Sequence, residues 1–252
     1  MVASVSDAVS LPSSPDLQAG AIVFDLDGVL LDSRRQMTHA LTTSYRHHVG
    51  PGNPPLTAFF RHMGRPLEEI LRILRLPKAM ADTYRAESRA AMSLAALFEG
   101  VPQMLDSARE KGYRLGLMTG KDRTRTEEVL DQFAIAQVFE ATLCGDDPHP
   151  AKPEPAGLIW LLGQLRARSP AESVMIGDSP LDITCARRAG VFAVGANWGF
   201  SSERALVRAG AALTFASPLA LELWLCAGAG DEPGATVSRA SAGVPYSGAR
   251  RG

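Results

Sequence analysis

Four groups of polar residues stand out in this 252-residue chain because of where they lie relative to short apolar runs. Three of them follow directly after such a run, and the fourth precedes a predicted helix that holds a proline in its first turn. They are Asp25-Leu26-Asp27-Gly28-Val29, Thr119-Gly120-Lys121, Lys152 in Ala-Lys-Pro-Glu-Pro, and Gly177-Asp178-Ser179. Ligands of an open parallel α/β sheet bind beyond the carboxyl ends of its strands, so these groups are expected to meet at one site.

Together these groups contain what the cleavage of a phosphate monoester requires. That reaction is among the slowest known without a catalyst, and it needs a nucleophile, a proton donor for the leaving oxygen and positive charge around the phosphoryl group. Each residue alone has an ordinary structural explanation, such as a helix cap or a turn. It is the combination of carboxylates, a hydroxyl and a lysine that predicts phosphoryl chemistry.

The carboxylates also imply a metal ion. Asp25, Asp27 and Asp178 would repel one another and a bound phosphate unless a divalent cation and a lysine offset their charge. These motifs offer oxygen ligands and contain neither His nor Cys, which favours Mg²⁺ over Zn²⁺. We therefore predict Mg²⁺ as the cofactor.

The elements that must position these residues follow from the pattern of apolar residues. Their runs are continuous rather than alternating, and helix-sized segments separate them, which indicates a parallel sheet covered on both faces. Strands are predicted at residues 21–24, 113–118, 140–143, 173–176 and 192–194. The predicted fold class is α/β, with a Rossmann-like doubly wound parallel sheet as the core.

The alternation of strands and helices breaks at residues 34–98, where helices are predicted one after another, including 66–74 and 79–97. We interpret this segment as an inserted α-helical cap domain. It contains nine Arg and one Lys against four acidic residues, a charge of 10 − 4 = +6, so the remainder of the chain carries −1 − 6 = −7. A basic cap over an acidic core predicts an anionic ligand between them.

The core is then expected to comprise residues 20–33 and 99–226, with disordered tails at 1–19 and 227–252, which are rich in small and polar residues. The net charge of −1 and the apolar fraction of 46% predict no nucleic-acid partner and no membrane partner. Three cysteines without CxxC spacing suggest neither disulfides nor zinc, and the N-terminus lacks an export signal. A cytoplasmic location is predicted.

In this order, the four groups resemble the motifs of the haloacid dehalogenase superfamily. The resemblance spans about residues 21–200, and the helical segment after Asp32-Ser33 is similar to the cap of the phosphoglycolate phosphatase and β-phosphoglucomutase branch. It implies a phosphatase that hydrolyses a small phosphorylated metabolite through an aspartyl-phosphate. A sugar phosphate, an amino-sugar phosphate or a molecule like phosphoglycolate would be the substrate.

The resemblance also assigns roles to the motif residues. Asp25 would be the nucleophile, and Asp27 would protonate the leaving alcohol and later activate water. Thr119 and the amide of Gly120 would hold the phosphoryl oxygens, although many relatives have Asn in place of Gly120. Lys152 would neutralise the developing charge and fix Asp25.

For the metal, the resemblance implies that Asp25, the Asp27 carbonyl and Asp178 coordinate Mg²⁺. Asp182, four residues further on, would support these ligands from behind. Outside the motifs, Gly64-Arg65-Pro66 is predicted to be a loop before a helix, so we expect Arg65 to project into the cleft and bind substrate.

Two alternatives to a phosphatase stay open. A phosphomutase would share Asp25 and Asp27 and differ in how its cap excludes water, and a non-catalytic regulatory protein would keep only the fold. Within the cap, residues 60–70 and 74–77 resemble phosphatase-like proteins associated with 3-amino-5-hydroxybenzoate biosynthesis. That narrower resemblance would imply an amino-sugar or sugar phosphate substrate and a place in antibiotic biosynthesis.

Overall fold

The computed structural model describes residues 20–226 and, for the backbone alone, residues 237–239. These residues form nine strands, which in chain order are β1 (Ala21–Phe24), β2 (Leu31–Asp32), β3 (Ala96–Leu97), β4 (Arg114–Met118), β5 (Ala141–Leu143), β6 (Val174–Gly177), β7 (Phe192–Ala196), β8 (Leu213–Phe215) and β9 (Val237–Arg239).

The main sheet has the strand order β5-β4-β1-β6-β7-β8-β9. Its first six strands are parallel, and β9 pairs antiparallel with β8 at the edge. Strand β1 lies between β4 and β6, so the chain leaves the centre of the sheet in two directions. This is the position at which the loops of a doubly wound sheet separate and form a ligand site.

Ten helices accompany the strands in the described part of the chain: α1 (Arg34–His48), α2 (Leu56–Arg61), α3 (Leu67–Ile73), α4 (Met80–Ala90), α5 (Val101–Glu110), α6 (Arg123–Gln132), α7 (Ala156–Gln164), α8 (Pro180–Arg188), α9 (Glu203–Ala209) and α10 (Pro218–Cys226). Helices α5, α6 and α10 cover one face of the sheet, and α7, α8 and α9 cover the other. The predicted Rossmann-like α/β fold with a helical cap is confirmed.

The burial of β1 explains why its sequence is apolar without interruption. All of its side chains are fully buried, with Ile22 and Phe24 in the cluster on one face and Ala21 and Val23 in the cluster on the other. A strand covered on both faces must be apolar at consecutive positions. The charged residues that follow it therefore mark the end of the strand.

The cap is built from α1–α4, which pack around a hydrophobic cluster of their own that includes Leu41, Phe59, Ile70 and Met80. Where the chain enters and leaves these helices, β2 and β3 form a two-stranded antiparallel pair. The pair places both connections between the cap and the core side by side.

One predicted helix was too long. The helix expected over residues 79–97 ends at Ala90 and is followed by a 3-10 turn, Met92–Leu94, and then by β3. Pairing with β2 overrides the local helical preference there, and the Phe98 amide continues the contact by donating to the Leu30 carbonyl. Two-residue strands such as these are too short to leave a pattern in the sequence.

Most of the two tails predicted at residues 1–19 and 227–252 lies outside the described residues. Within the second, the structure describes the edge strand β9, where Ser238 pairs with Thr214 of β8. Among the described residues, no helix combines the length and the apolar character that crossing a membrane would require.

Candidate active site

The motif residues meet at the carboxyl edge of the three central strands. Asp25 follows β1, Thr119 follows β4 and Asp178 follows β6. The Asp25 amide donates to the Ile176 carbonyl and the Thr119 amide to the Leu143 carbonyl, so the sheet ladder extends to the first residue of each loop. These loops begin at fixed positions because their first peptide groups still belong to the ladder.

Lys152 reaches this edge from the segment before α7 and joins two of the aspartates. Its Nζ lies 3.0 Å from Asp25 Oδ2 and 2.6 Å from Asp182 Oδ1, and it donates to the Met118 carbonyl at 3.2 Å. Burial lowers the pKa of Lys152, but the carboxylates of Asp182 and Asp25 raise it by more, so the net shift is upward. The side chain is therefore a buried ammonium ion.

Three carboxylates are crowded around this single lysine. Oxygen atoms of Asp25, Asp178 and Asp182 lie within 4.8 Å of one another. Burial raises the pKa of Asp25 to about 7 despite the nearby Lys152, and the charge of Asp182 adds to the rise. Burial, together with the charges of Asp182 and Asp25, also holds the pKa of Asp178 well above its ordinary value. Among the described side chains, the three carboxyl groups therefore face only one cation, Lys152, when all of them are ionised.

A divalent cation fits this cluster. Asp178 Oδ2 accepts a hydrogen bond from the Phe200 amide at 2.6 Å, whereas its buried Oδ1 has no hydrogen-bond partner among the described residues. Buried polar atoms without a partner are rare and point to a missing ion or water. Oxygen ligands from carboxylates are those of a hard cation, which would also favour the ionised form of the carboxylates.

Asp182 is held differently from its two neighbours. One of its oxygens, Oδ2, accepts from the Ser179 amide at 3.0 Å and the Ser179 hydroxyl at 2.7 Å, in a capping box that begins α8. Its other oxygen faces Lys152. Since both oxygens are engaged, Asp182 fixes the loop after β6 and the lysine.

The loops that carry Asp27 and Asp178 touch at a glycine. Gly28 has a φ of +87°, and a Cβ at this position would lie 2.2 Å from Asp178 Oδ2. Both the left-handed backbone and the close approach require a residue without a side chain. Glycine at position 28 thus allows the two acidic loops to converge.

Asp27 has a lysine of its own. Lys121 Nζ lies 3.0 Å from Asp27 Oδ1, and both side chains are buried. The sequence showed Lys121 next to Thr119 and Gly120 but gave no reason to assign it a role. A lone lysine after a strand is usually solvated, and only the folded chain brings it to Asp27, 94 residues away.

The cap closes the site from above. A cavity of about 30 Å³ separates the two lobes, lined on the core side by Asp25, Asp27, Thr119, Gly120, Lys121 and Arg125 and on the cap side by Met37, Phe59, Met63, Gly64, Arg65, Leu67, Ile70 and Tyr84. A Cβ on Gly120 would lie 2.7 Å from the carbonyl oxygens of Gly64 and of Arg65. The cap loop therefore rests directly on the loop after β4.

Arg65, which the sequence predicted to bind substrate, is among the residues that line this cavity. Its Nη1 is 2.5 Å from Glu69 Oε1, one turn along α3. Its buried Nε lacks a hydrogen-bond partner within residues 20–226. The guanidinium therefore keeps one donor free beside the cavity.

Further contacts between the lobes lie around the cavity. Arg85 and Arg89 of α4 pair with Asp122 at 3.1 Å and with Glu128 at 2.6 Å in the core. Such partly exposed pairs contribute little energy each, but they set the orientation of the cap.

On another side, the Phe60 ring of the cap stacks on the Phe200 ring of the core, with centroids 5.2 Å apart, and the Arg34 guanidinium lies within 5 Å of both rings. Cation–π contacts at this distance are attractive. Phe200 belongs to no motif, and the sequence offered no signal that would have singled it out.

Several known proteins have sequences related to this chain. The model of the family described as haloacid dehalogenase-like hydrolase matches residues 22–196. The phosphoglycolate phosphatase of Vibrio vulnificus is 32% identical over 202 residues, which cover 71% of this chain and 84% of that protein. The tyrosine-protein kinase PtkA of Mycobacterium tuberculosis is 31% identical over 195 residues, which cover 75% of this chain and 65% of that protein. This chain thus spans slightly less than two thirds of the kinase.

A solved structure agrees with the sequence matches. A haloacid dehalogenase-like family hydrolase from Streptococcus pneumoniae superimposes with a TM-score of 0.70 at 26% identity. The superposition covers 81% of this chain and 97% of that one. The likeness therefore extends over nearly the whole of the solved protein, including the cap.

Proposed function

This chain belongs to the haloacid dehalogenase-like hydrolase family, and we propose on that premise that it hydrolyses a small phosphorylated metabolite through an aspartyl-phosphate on Asp25, with Mg²⁺ as its cofactor. The predicted family and its phosphoglycolate phosphatase branch are confirmed by the family match and by the Vibrio relative. A phosphatase activity is the part of this proposal that the Vibrio relative supports. The substrate, the metal and the roles of single residues are our proposals.

One observation carries the proposal: each of the two aspartates after β1 has a buried lysine partner, while a cluster of carboxylates stands beside the first. Lys152 contacts Asp25 and Lys121 contacts Asp27, each at 3.0 Å. Two neighbouring carboxylates with separate partners can perform two different tasks. This division supports one nucleophile and one group that moves protons.

In the first step, an oxygen of Asp25 attacks phosphorus and the bond to the leaving oxygen breaks. Asp27 gives its proton to that oxygen, so that the product leaves as an alcohol. The Leu26 amide donates to Asp25 Oδ1 at 2.7 Å and Lys152 holds Oδ2, which fixes the plane of the nucleophile. Orientation of this kind lowers the barrier because less freedom is lost during reaction.

In the second step, Asp27, now a carboxylate, takes a proton from water as the water oxygen attacks phosphorus. The bond between phosphorus and Asp25 breaks, inorganic phosphate leaves, and both aspartates return to their first state. The Thr119 hydroxyl and the Gly120 amide hold phosphoryl oxygens throughout. When bound by Asp25, Asp178 and the Asp27 carbonyl, Mg²⁺ would supply positive charge to the phosphoryl group.

The size of the cavity supports a small substrate. With the lobes together, the cavity beside Asp25 and Asp27 measures about 30 Å³, which is room for roughly two water molecules, and a wider one of about 420 Å³ adjoins it between α3 and α4 of the cap and the core. The cap therefore opens for substrate to enter and closes over its leaving group, with β2 and β3 next to the hinge. The cap wall is mostly apolar, with Arg65 beside the cavity, so a compact molecule with one polar or anionic group fits best. The narrower resemblance to proteins of 3-amino-5-hydroxybenzoate biosynthesis stays a prediction.

The division of roles is tested by trapping the phosphoenzyme with nitrophenyl phosphate and weighing the protein by mass spectrometry. Asp25→Asn should form no phosphoenzyme with any substrate, because it lacks the nucleophile. Asp27→Asn should still be phosphorylated by this activated substrate but should release phosphate roughly 10²–10⁴-fold more slowly. Asp106→Asn, an exposed aspartate on α5, is the matched control and should behave like wild type.

Two outcomes would contradict this proposal. A phosphoenzyme that persists in Asp25→Asn would rule out Asp25 as the nucleophile. Equal phosphate release in wild type and Asp27→Asn would rule out the proton-transfer role of Asp27. A phosphomutase would pass the phosphoryl group to a sugar phosphate in preference to water. Phosphate release and phosphoryl transfer to added sugar phosphates should therefore be measured together.

A further inference from the structure

Lys121 is a buried cation that the roles above leave without a function. It is 5% exposed, its partner Asp27 is 6% exposed, and the two side chains meet at the wall of the cavity. Burying a lysine and a carboxylate costs free energy that their attraction only partly offsets. A pair of this kind at the reacting end of the site is expected to serve the reaction.

The backbone of Lys121 is held at both of its polar groups. Its amide donates to Thr119 Oγ1 at 3.2 Å, and its carbonyl accepts from the Gly145 amide at 2.8 Å. The residue is therefore attached to the loop after β4 on one side and to the loop after β5 on the other. From this fixed base the ammonium group reaches across to the loop after β1.

The chemistry of the pair distinguishes the two oxygens of Asp27. A lysine ammonium has three donors and no acceptor, so the oxygen that faces it must offer a lone pair. Lys121 contacts Oδ1. With Oδ1 so occupied, Oδ2 is the oxygen of Asp27 that is left to face the substrate.

We propose that Lys121 is a positioning residue that holds the Asp27 carboxyl group by Oδ1 and thereby turns Oδ2 toward the leaving group. The inference rests on the proposed function, because it requires Asp27 to be the proton donor. Without Lys121 the carboxyl group is free to rotate, so that neither oxygen is held toward the leaving group. Proton transfer then slows, whereas attack by Asp25, which Lys152 holds separately, does not.

Leaving-group dependence is the measurement that isolates this role. Single-turnover phosphorylation should be compared for dinitrophenyl phosphate, whose leaving group needs no proton, and for phenyl phosphate, whose leaving group does. We expect Lys121→Met to stay within threefold of wild type on the first substrate and to lose about 10–10²-fold on the second, part of the ~10²–10⁴-fold value of general acid catalysis. Lys121→Arg should restore most of the loss, and Lys111→Met, an exposed lysine, should have no effect.

The double variant Asp27→Asn/Lys121→Met should be no slower than Asp27→Asn alone on phenyl phosphate, because the lysine acts only through the aspartate. This variant also removes both charges, so it tests the inference if Lys121→Met alone fails to fold. A further loss of rate in the double variant, or an equal loss of rate on both substrates for Lys121→Met, would overturn the inference. Lys121 would then be assigned to a contact with the phosphoryl group.

Failure of the underlying function would look different. If Asp27→Asn itself showed no dependence on the leaving group, Asp27 would not be the proton donor, and the role of Lys121 would fall with it. If Asp27→Asn depended steeply on the leaving group while Lys121→Met did not, only the role of Lys121 would be rejected.

Discussion

Replacing Gly28 by alanine tests the close contact between the loops that carry Asp27 and Asp178. A Cβ at this position would lie 2.2 Å from Asp178 Oδ2, 2.6 Å from Asp178 Cγ and 2.7 Å from Phe200 Cδ2. Gly112 provides a matched control, since its φ of +82° is close to the +87° of Gly28, but a Cβ there would meet no atom within 4 Å. Gly112→Ala thus keeps the backbone strain and lacks the collision.

The two substitutions should differ in size for this reason. A left-handed alanine costs about 1–2 kcal/mol, which applies to both positions. Overpacking adds about 1–3 kcal/mol at Gly28 alone. We therefore expect the free energy of unfolding to fall by about 1–2 kcal/mol in Gly112→Ala and by about 2–5 kcal/mol in Gly28→Ala.

Activity should separate the variants further. To relieve the collision, the Asp178 carboxylate must move by roughly 1 Å, and a displacement of that size at a catalytic site costs on the order of 10²-fold in rate. Urea denaturation gives the stabilities, and turnover of nitrophenyl phosphate with Mg²⁺ gives kcat/KM. Equal stability losses in both variants, with Gly28→Ala still within threefold of wild-type kcat/KM, would refute the contact.

Two further predictions concern ligands of the site. Mg²⁺ at 100 times its dissociation constant should raise the free energy of unfolding by about 2.7 kcal/mol. Asp178→Asn should lose most of this gain, while Asp106→Asn keeps it. Thermal melts with and without a chelator measure the effect, and an unchanged wild-type Tm would argue against the metal site. Arg65→Ala should raise KM by about 10–10²-fold with little change in kcat, because a hydrogen bond to a charged group is worth about 1.5–3 kcal/mol. A KM within twofold of wild type, as expected for the exposed control Arg72→Ala, would place Arg65 outside the binding site.

The sequence predicted five of the six parallel strands of the main sheet. Strand β1 was predicted at its observed bounds, and β4 to β7 were predicted to within one or two residues at each end. Strand β8, Leu213–Phe215, was not among the predicted strands. Strands β2 and β3 exist because they pair with each other, which no local pattern records.

The same distinction holds for the site. Asp25, Thr119, Lys152 and Asp178 could be found because each lies at a recognisable place relative to a strand or helix, and the structure brings them together at one edge. The contacts of Lys121 with Asp27 and of Phe200 with Asp178 span 94 and 22 residues and depend on the paths of loops. Such contacts follow from the folded arrangement alone.

The contact between Gly120 and the cap loop constrains how this enzyme can evolve. Because a Cβ at position 120 would lie 2.7 Å from two carbonyl oxygens of the cap loop, any side chain there requires that loop to withdraw first. An asparagine at position 120 would therefore need a cap loop that lies further from the loop after β4 than it does here. Position 120 and the Gly64-Arg65 loop lie in different lobes, yet a side chain at the first can be accommodated only together with a change in the second.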